Sequence, residues 1–376
     1  MFEHYGICVS AAIFSFFLLS TVLGTVSSPR AIVHDTHKSI RDLLDPPCAS
    51  TDTLLRSRSS PNARLLRAFH LSNTFVSPDP TVYANFLHWT SFNDVALHAV
   101  ELTLPELPIP FHVFIRSVTL RTIIVGLLDP HTDMTSLASN DVDIVTNLIT
   151  DIWMLSKKPG PIPEYLLEML NDRLRHLIPN QGEYPNPLDF VIPTWETLWR
   201  VVAVTLAYVH TDAEARRAFL DLTDNPDGDQ FCALKLDGTA PSVENYMSES
   251  LRLHPPAISP HHFPSWYHRI SNPTPTPKIH VADIESAQRS VLWESDSSPP
   301  EAFDAARFLR EPKACEILAF GTGPLKCTAI NWAPMAAALI VGTILNRVDG
   351  VNYYIVRGER VGERTGWDGW MVRKVA

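Results

Sequence analysis

Apolar residues recur at helical spacing through most of the chain, and prolines set where each run stops. From about Ala63 to Leu128 the helical period dominates, cut into short pieces by Pro78, Pro80, Pro105, Pro108 and Pro110. Amphipathic runs at Asp141 to Leu155 and Pro163 to Leu177 predict two longer helices, and Pro179, Pro185, Pro187 and Pro193 predict a loop after them. A mostly apolar helix is expected over Trp195 to Val209. An amphipathic one follows over Asp212 to Leu222, with Thr211 or Asp212 as cap, and another over Ser242 to Leu253, stopped by Pro255 and Pro256. Thr328 to Leu345 reads as helix again, with Pro334 marking a kink or the start of regular pairing. Strand-like pieces are confined to places such as Lys278 to Ala282 and to the tail, Val351 to Val375, which reads as a β-hairpin. The pattern is mainly α with a minor β part.

The N-terminus departs from this pattern. Residues 6–26, GICVSAAIFSFFLLSTVLGTV, carry no charge, and about 20 such residues cross a hydrocarbon core as a helix. Glu3 and His4 precede the run, while Arg30, Lys38 and Arg41 follow it, so the positive-inside tendency places the rest of the chain on the cytosolic side. A cleaved secretory signal with Ser27 and Ser28 near its cut is the rival reading, and the anchor is preferred. The expected organisation is a membrane anchor at 1–27, a linker at 28–62 with a short helix near Ile40 to Leu44, and one domain over 63–376.

Composition narrows the partners. A net charge of −10 argues against nucleic acid as the main one. Cysteines at 8, 48, 232, 315 and 327 show no pairing rhythm, which reads as a reducing compartment rather than a disulfide framework.

Cys327 closes the run Phe320-Gly321-Thr322-Gly323-Pro324-Leu325-Lys326-Cys327. Glycines let the backbone take φ > 0 and come close to a bound group, and the aromatic seven residues before the thiol can shield its sulfur. Alone, a structural thiol at a turn is the commoner fate of such a residue. Upstream, Glu249 and Arg252 stand at i,i+3 in Glu249-Ser250-Leu251-Arg252, and Phe303-Asp304-Ala305-Ala306-Arg307-Phe308 adds a second arginine. One carboxylate and two guanidiniums can form a charge-assisted network that fixes the loop carrying the sulfur.

These three elements in this order resemble the cytochromes P450, most closely the microsomal type of fungi, over roughly residues 190 to 376. The resemblance implies the P450 fold behind one N-terminal transmembrane helix, and haem b (iron protoporphyrin IX) with Cys327 as the axial ligand of its iron. Phe320 and Gly323 then belong to the cofactor loop, and Glu249, Arg252 and Arg307 to a structural network. Pro193-Thr194-Trp195-Glu196-Thr197 resembles the family's oxygen-activating segment. There Glu196 would relay protons and Thr197 would handle dioxygen, although a Thr and Glu that simply open a helix after Pro193 read equally well. Thr194 and Trp195 are bulkier than the family's residues, Leu325 stands where the family has Arg or His for a haem propionate, and Ala329 stands where it has Gly. His261 or His262 could take over the propionate contact, with Ala257 and Ile258 lining the substrate pocket. His254, His261, His262 and His268 match no helical zinc spacing. Lys326 would lie on the surface facing a reductase or be a plain solvated lysine. Arg64 and Arg67 read as a surface helix.

The implied activity is a monooxygenase that inserts one oxygen atom from O2 into an apolar organic substrate. Electrons would come from an NADPH-dependent cytochrome P450 reductase, with the protein held single-pass in the endoplasmic reticulum membrane and its catalytic domain cytosolic. Two alternatives stand beside it: a reductase-independent isomerase or dehydratase acting on a peroxide, and a truncated, non-catalytic relative.

Overall fold

The computed structural model describes residues 31–47, 49–72, 88–256, 263–264, 279–294, 298–310 and 316–375. The expected anchor at 1–27 lies outside them, as do His261, His262, His268, Ala257 and Ile258. The chain opens with β1 (Ala31–His34), α1 (His37–Leu44), α2 (Thr51–Ala68), α3 (Trp89–Thr103), β2 (Ile109–Pro110) and α4 (Phe111–Ile123). Next come α5 (Ser139–Ser156), α6 (Glu164–Leu177), α7 (Leu188–Trp195), α8 (Leu198–Val209), α9 (Ala213–Asp224), α10 (Gly228–Cys232) and α11 (Val243–Leu253). After β3 (Phe263–Pro264) and β4 (Ile279–Ala282) follow α12 (Ile284–Gln288), α13 (Arg307–Arg310), α14 (Ala333–Arg347), β5 (Tyr353–Val356) and β6 (Met371–Lys374).

The described residues are mainly helical with two small sheets, as the pattern predicts. One sheet has the order β1-β4-β3, with β1 and β4 parallel, and the other has the order β2-β6-β5. β5 and β6 form the expected hairpin in the tail, Tyr353 opposite Lys374. Residues 31–62, expected as a linker, instead carry β1, α1 and the first part of α2, and Ile40 and Leu44 pack with Ala282, Ile284, Ala287 and Leu318 in a satellite core. The reason is a strand partner far along the chain, β4, which local polarity cannot announce. The loop expected through Pro193 ends earlier, because α7 begins at Leu188 and takes Pro193 inside it.

The main core is a stack of helices around α8 and α14. From Met335 to Leu345 every residue of α14 is buried, which suits an apolar composition on all faces. Gly342 permits a close approach: a Cβ there would stand 2.5 Å from Thr223 Cγ2 and 2.8 Å from the Phe219 carbonyl, so α9 and α14 touch backbone to backbone. Pro334 occupies the first turn of α14, where its missing N–H has no helical partner to lose. Phe111–Leu128 and Leu188–Val209 are long and apolar enough to cross a membrane, and both are mostly buried inside the fold.

Candidate functional site

Glu249 and Arg252 meet as their spacing implies. Arg252 Nε and Nη2 donate to the two carboxylate oxygens of Glu249 at 2.7 Å each, with both side chains fully buried. The pair is bidentate, the geometry in which an arginine binds a carboxylate most strongly. Arg307 completes the triad less directly: its Nε lies 3.6 Å from Glu249, and its other nitrogens donate to the carbonyls of Trp293 and Pro299. The Asp304 N–H also donates to Glu249, at 3.0 Å. Arg307 thus ties down its own segment while Glu249 holds that segment's backbone.

The link from this network to the cysteine loop runs through Gln288, a residue the sequence reading missed. Arg252 Nη1 donates to the Gln288 carbonyl at 2.6 Å, and the Gln288 side-chain amide donates to the Arg252 carbonyl at 2.8 Å. Its side-chain oxygen then accepts the N–H of Leu318 at 2.6 Å, where the loop begins. Every one of these groups is buried, so each bond replaces water that cannot reach the site. No pattern in Ile284-Glu285-Ser286-Ala287-Gln288 singles this glutamine out.

Beyond Leu318 the loop turns tightly. Gly321 and Gly323 both have φ of +71°, and the Cys327 N–H donates to the Phe320 carbonyl at 2.8 Å, closing the loop on itself. A Cβ on Gly323 would stand 2.6 Å from Cβ of Asp45, so the turn rests directly against the end of α1. Cys327 is exposed and takes the cap position of a short helical turn, Thr328–Asn331, that leads into α14. Its sulfur is thus accessible to a bound group. The residues present therefore fit an iron-bound macrocycle at this sulfur. Lys326 and Arg41 both pair with Glu316, so Lys326 belongs to a surface ion cluster.

Glu196 and Thr197 fall where the ladder loosens between α7 and α8. Pro193, four residues before Thr197, has no N–H to donate to the carbonyl one turn before it. Along these two helices every residue is buried except Asp189, Phe190, Pro193, Thr197, Val201 and Tyr208, and the last five recur at helical spacing and form one partly open stripe. Thr197 is at its middle. Trp195 and Thr194 turn into the protein: the Trp195 indole donates to the Arg116 carbonyl and the Thr194 hydroxyl to that of Phe190, so their bulk does not fill the open side. At the far end Tyr208 stacks on Phe303, rings 4.3 Å apart, and its hydroxyl lies 2.9 Å from His254 Nε2.

Glu196 faces a different neighbour. Its Oε1 accepts from Arg364 at 2.5 Å, while its Oε2 is buried with no partner among the described residues. Around it, Arg116 donates to the Arg364 carbonyl at 2.8 Å and lies 4.4 Å above the Trp199 ring. Arg200, one turn after Glu196, donates to the Pro256 carbonyl. Burial pushes Arg116 and Arg200 down to about 10; Asp151 and Glu196 oppose the shift at Arg116, and Glu196 and Glu363 oppose it at Arg200 after Arg364 has added to it. Arg200 carried a readable signal, a charge inside Leu198-Trp199-Arg200-Val201-Val202, whereas Arg364 carried none. Arg64 donates to the Leu155 and Gly160 carbonyls and so serves the packing of α2 on α5.

The sequence matches no protein-family model and no curated protein. Solved structures do match it, along nearly its whole length. CYP175A1 of Thermus thermophilus is 14% identical over 92% of this chain and 89% of that one, at a TM-score of 0.53. A six-coordinated cytochrome P450, also of Thermus thermophilus, is 13% identical over 91% and 92%, at 0.51. CYP105N1 of Streptomyces coelicolor is 16% identical over 92% and 90%, at 0.52. The chain has the cytochrome P450 fold. In P450 terms the likeness is no longer confined to residues 190 to 376, where the motifs lie, but takes in the helices before them. Those P450 structures come from bacteria, and nothing in the match distinguishes a microsomal or fungal type.

Proposed function

We propose that this chain is a haem-thiolate monooxygenase of the microsomal P450 type, acting on an apolar organic substrate with O2 and electrons from an NADPH-dependent reductase. One observation carries the reading: an exposed Cys327 closes a glycine turn that a buried chain of contacts, Glu249 to Arg252 to Gln288 to Leu318, holds in place. A merely structural thiol needs no such support. When bound, haem b would supply the oxygen chemistry, because a thiolate ligand pushes electron density onto iron and favours O–O cleavage. Cys327 would hold the metal, and Phe320 and Gly323 would shape the loop around it.

The remaining steps belong to side chains. Thr197, in the middle of the open stripe, would orient dioxygen through its hydroxyl and pass it a proton. Glu196 would accept a proton at its unpartnered Oε2 and pass it on to replace the one Thr197 gives up, while Arg364 keeps the other oxygen fixed. Phe190, Pro193 and Val201 offer an apolar wall that suits an apolar substrate and keeps water away. The apolar run at 6–26 supports a single-pass anchor in the endoplasmic reticulum membrane, with this domain in the cytosol.

The test is the reduced carbon-monoxide difference spectrum of the full chain after expression with a haem precursor. A thiolate-type Soret band in the wild type, lost in Cys327→Ser, is the expected result. A chain that folds yet takes up no haem would be the non-catalytic relative. Product formed from a peroxide without NADPH would make it the isomerase or dehydratase.

A further inference from the structure

A cavity of about 320 Å³ lies behind the cysteine loop, and no residue of α7 or α8 lines it, so it is separate from the open stripe around Thr197. That volume is at the small end of ligand sites. Glu244, Ser248 and Leu251 face it from α11 at helical spacing, next to the face that carries Glu249 and Arg252. Opposite stand Phe320 and Ile330, which bracket Cys327 along the chain, with Met335 from the first turn of α14. Phe231 and Cys232 of α10 and Trp89 of α3 are also in the wall.

The lining is mostly apolar, and Glu244 is its one charged residue. Glu244 is exposed and forms no salt bridge among the described residues. The Cys232 thiol stands beside it, and burial, then the nearby Glu244 and Asp229 carboxylates, pushes that thiol above its ordinary range. A carboxylate left without a cation beside an apolar hollow is complementary to one kind of molecule. We propose that this cavity binds a small amphipathic amine, its hydrocarbon body against Phe231, Leu251, Phe320 and Met335 and its cationic group on Glu244. Such an occupant would touch the loop on both sides of Cys327 without reaching the open stripe. The site goes beyond the monooxygenase reading and does not depend on it.

Isothermal titration of the purified full chain with octyltrimethylammonium tests this, because a quaternary nitrogen has no lone pair to give to iron. Saturable binding at one site is expected, with octanesulfonate, the same body bearing the opposite charge, at least tenfold weaker. Glu244→Gln should lower the affinity about tenfold. Alkylating Cys232 with N-ethylmaleimide should block the site, and Cys232→Ser should bind normally and be insensitive to the reagent. Equal binding of the two detergents, full affinity in Glu244→Gln, or no effect of alkylation would each overturn the proposal. Heat of binding needs no haem, so a chain that shows no thiolate spectrum can still pass this test, and one that shows it can still fail.

Discussion

Arg252 grips Glu249 through two parallel hydrogen bonds of 2.7 Å in a place where neither side chain meets solvent. A buried pair of this kind contributes little net stability over an apolar isostere, because desolvation offsets most of the attraction, but losing one partner strands a buried charge. Arg252→Leu and Glu249→Leu should therefore each destabilise the protein by about 3–5 kcal/mol. The double replacement should recover a large part of that. Urea midpoints at constant m-value measure it. Arg252→Lys should behave more like the leucine variant than like wild type, since an ammonium cannot reproduce the fork or reach the Gln288 carbonyl as well.

Gln288 separates the role of the ion pair from the role of the loop. Replacing it with Ala leaves the charges paired but strips the Leu318 N–H of its buried acceptor and frees the carbonyls of Leu251 and Arg252. A loss of about 1–3 kcal/mol is expected. The more telling readout is Cys327: its alkylation rate should change in Gln288→Ala, because the start of its loop is no longer fixed. An unchanged rate would mean that the loop is held by Gly323 and Asp45 alone.

What could be read beforehand follows how far apart the partners are. Glu249 and Arg252 lie one helical turn apart, so spacing alone put them together. Asp304 and Gln288, which complete the same network, are remote and ordinary in the sequence, and only the packed fold brings their backbone and amide groups to it. Glu196 was legible through the likeness of Pro193 to Thr197 to the family's oxygen-activating segment, yet its partner Arg364 stands 168 residues away in a loop with no period to betray it. β1 escaped notice for the same reason, being a short strand whose pairing with β4 is entirely long-range. Pro193 misled in the opposite direction. As the sixth residue of α7 it should end a helix, but burial of Val191, Ile192, Thr194 and Trp195 around it outweighs the lost hydrogen bond.

His254 gives the stability of the fold a pH dependence. Burial, then the positive charges of Arg289, Arg200 and Arg252, pushes it down to about 4, and Tyr208 holds its ring. Between that value and the ordinary histidine range the unfolded chain binds a proton that the folded one refuses. The contribution is therefore complete above about pH 6.5 and is lost as the pH falls toward 4. A decline on the order of 3 kcal/mol is expected over that span from this residue. His112, also pushed down to about 4 by burial and then Arg116, adds in the same direction. In urea titrations from pH 7 to pH 4, His254→Phe should flatten the slope even if it lowers the plateau. A slope as steep as in wild type would assign the acid sensitivity to His112 or elsewhere.

Gly323 and Asp45 provide the sharpest geometric test of the loop. A methyl group on Gly323 faces two separate obstacles, a left-handed φ of +71° and an Asp45 side chain whose Cβ and Cγ would be 2.6 and 2.7 Å away. Gly323→Ala should destabilise by about 1–3 kcal/mol from the backbone conformation, with the contact adding to it. Removing the obstacle with Asp45→Gly relieves only the contact. The double-mutant cycle should therefore show a favourable coupling of about 0.5–3 kcal/mol while leaving the double variant still less stable than Asp45→Gly alone. Additive losses would mean that α1 moves aside freely. In that case the turn before Cys327 is shaped by its own glycines and not by the helix it rests on.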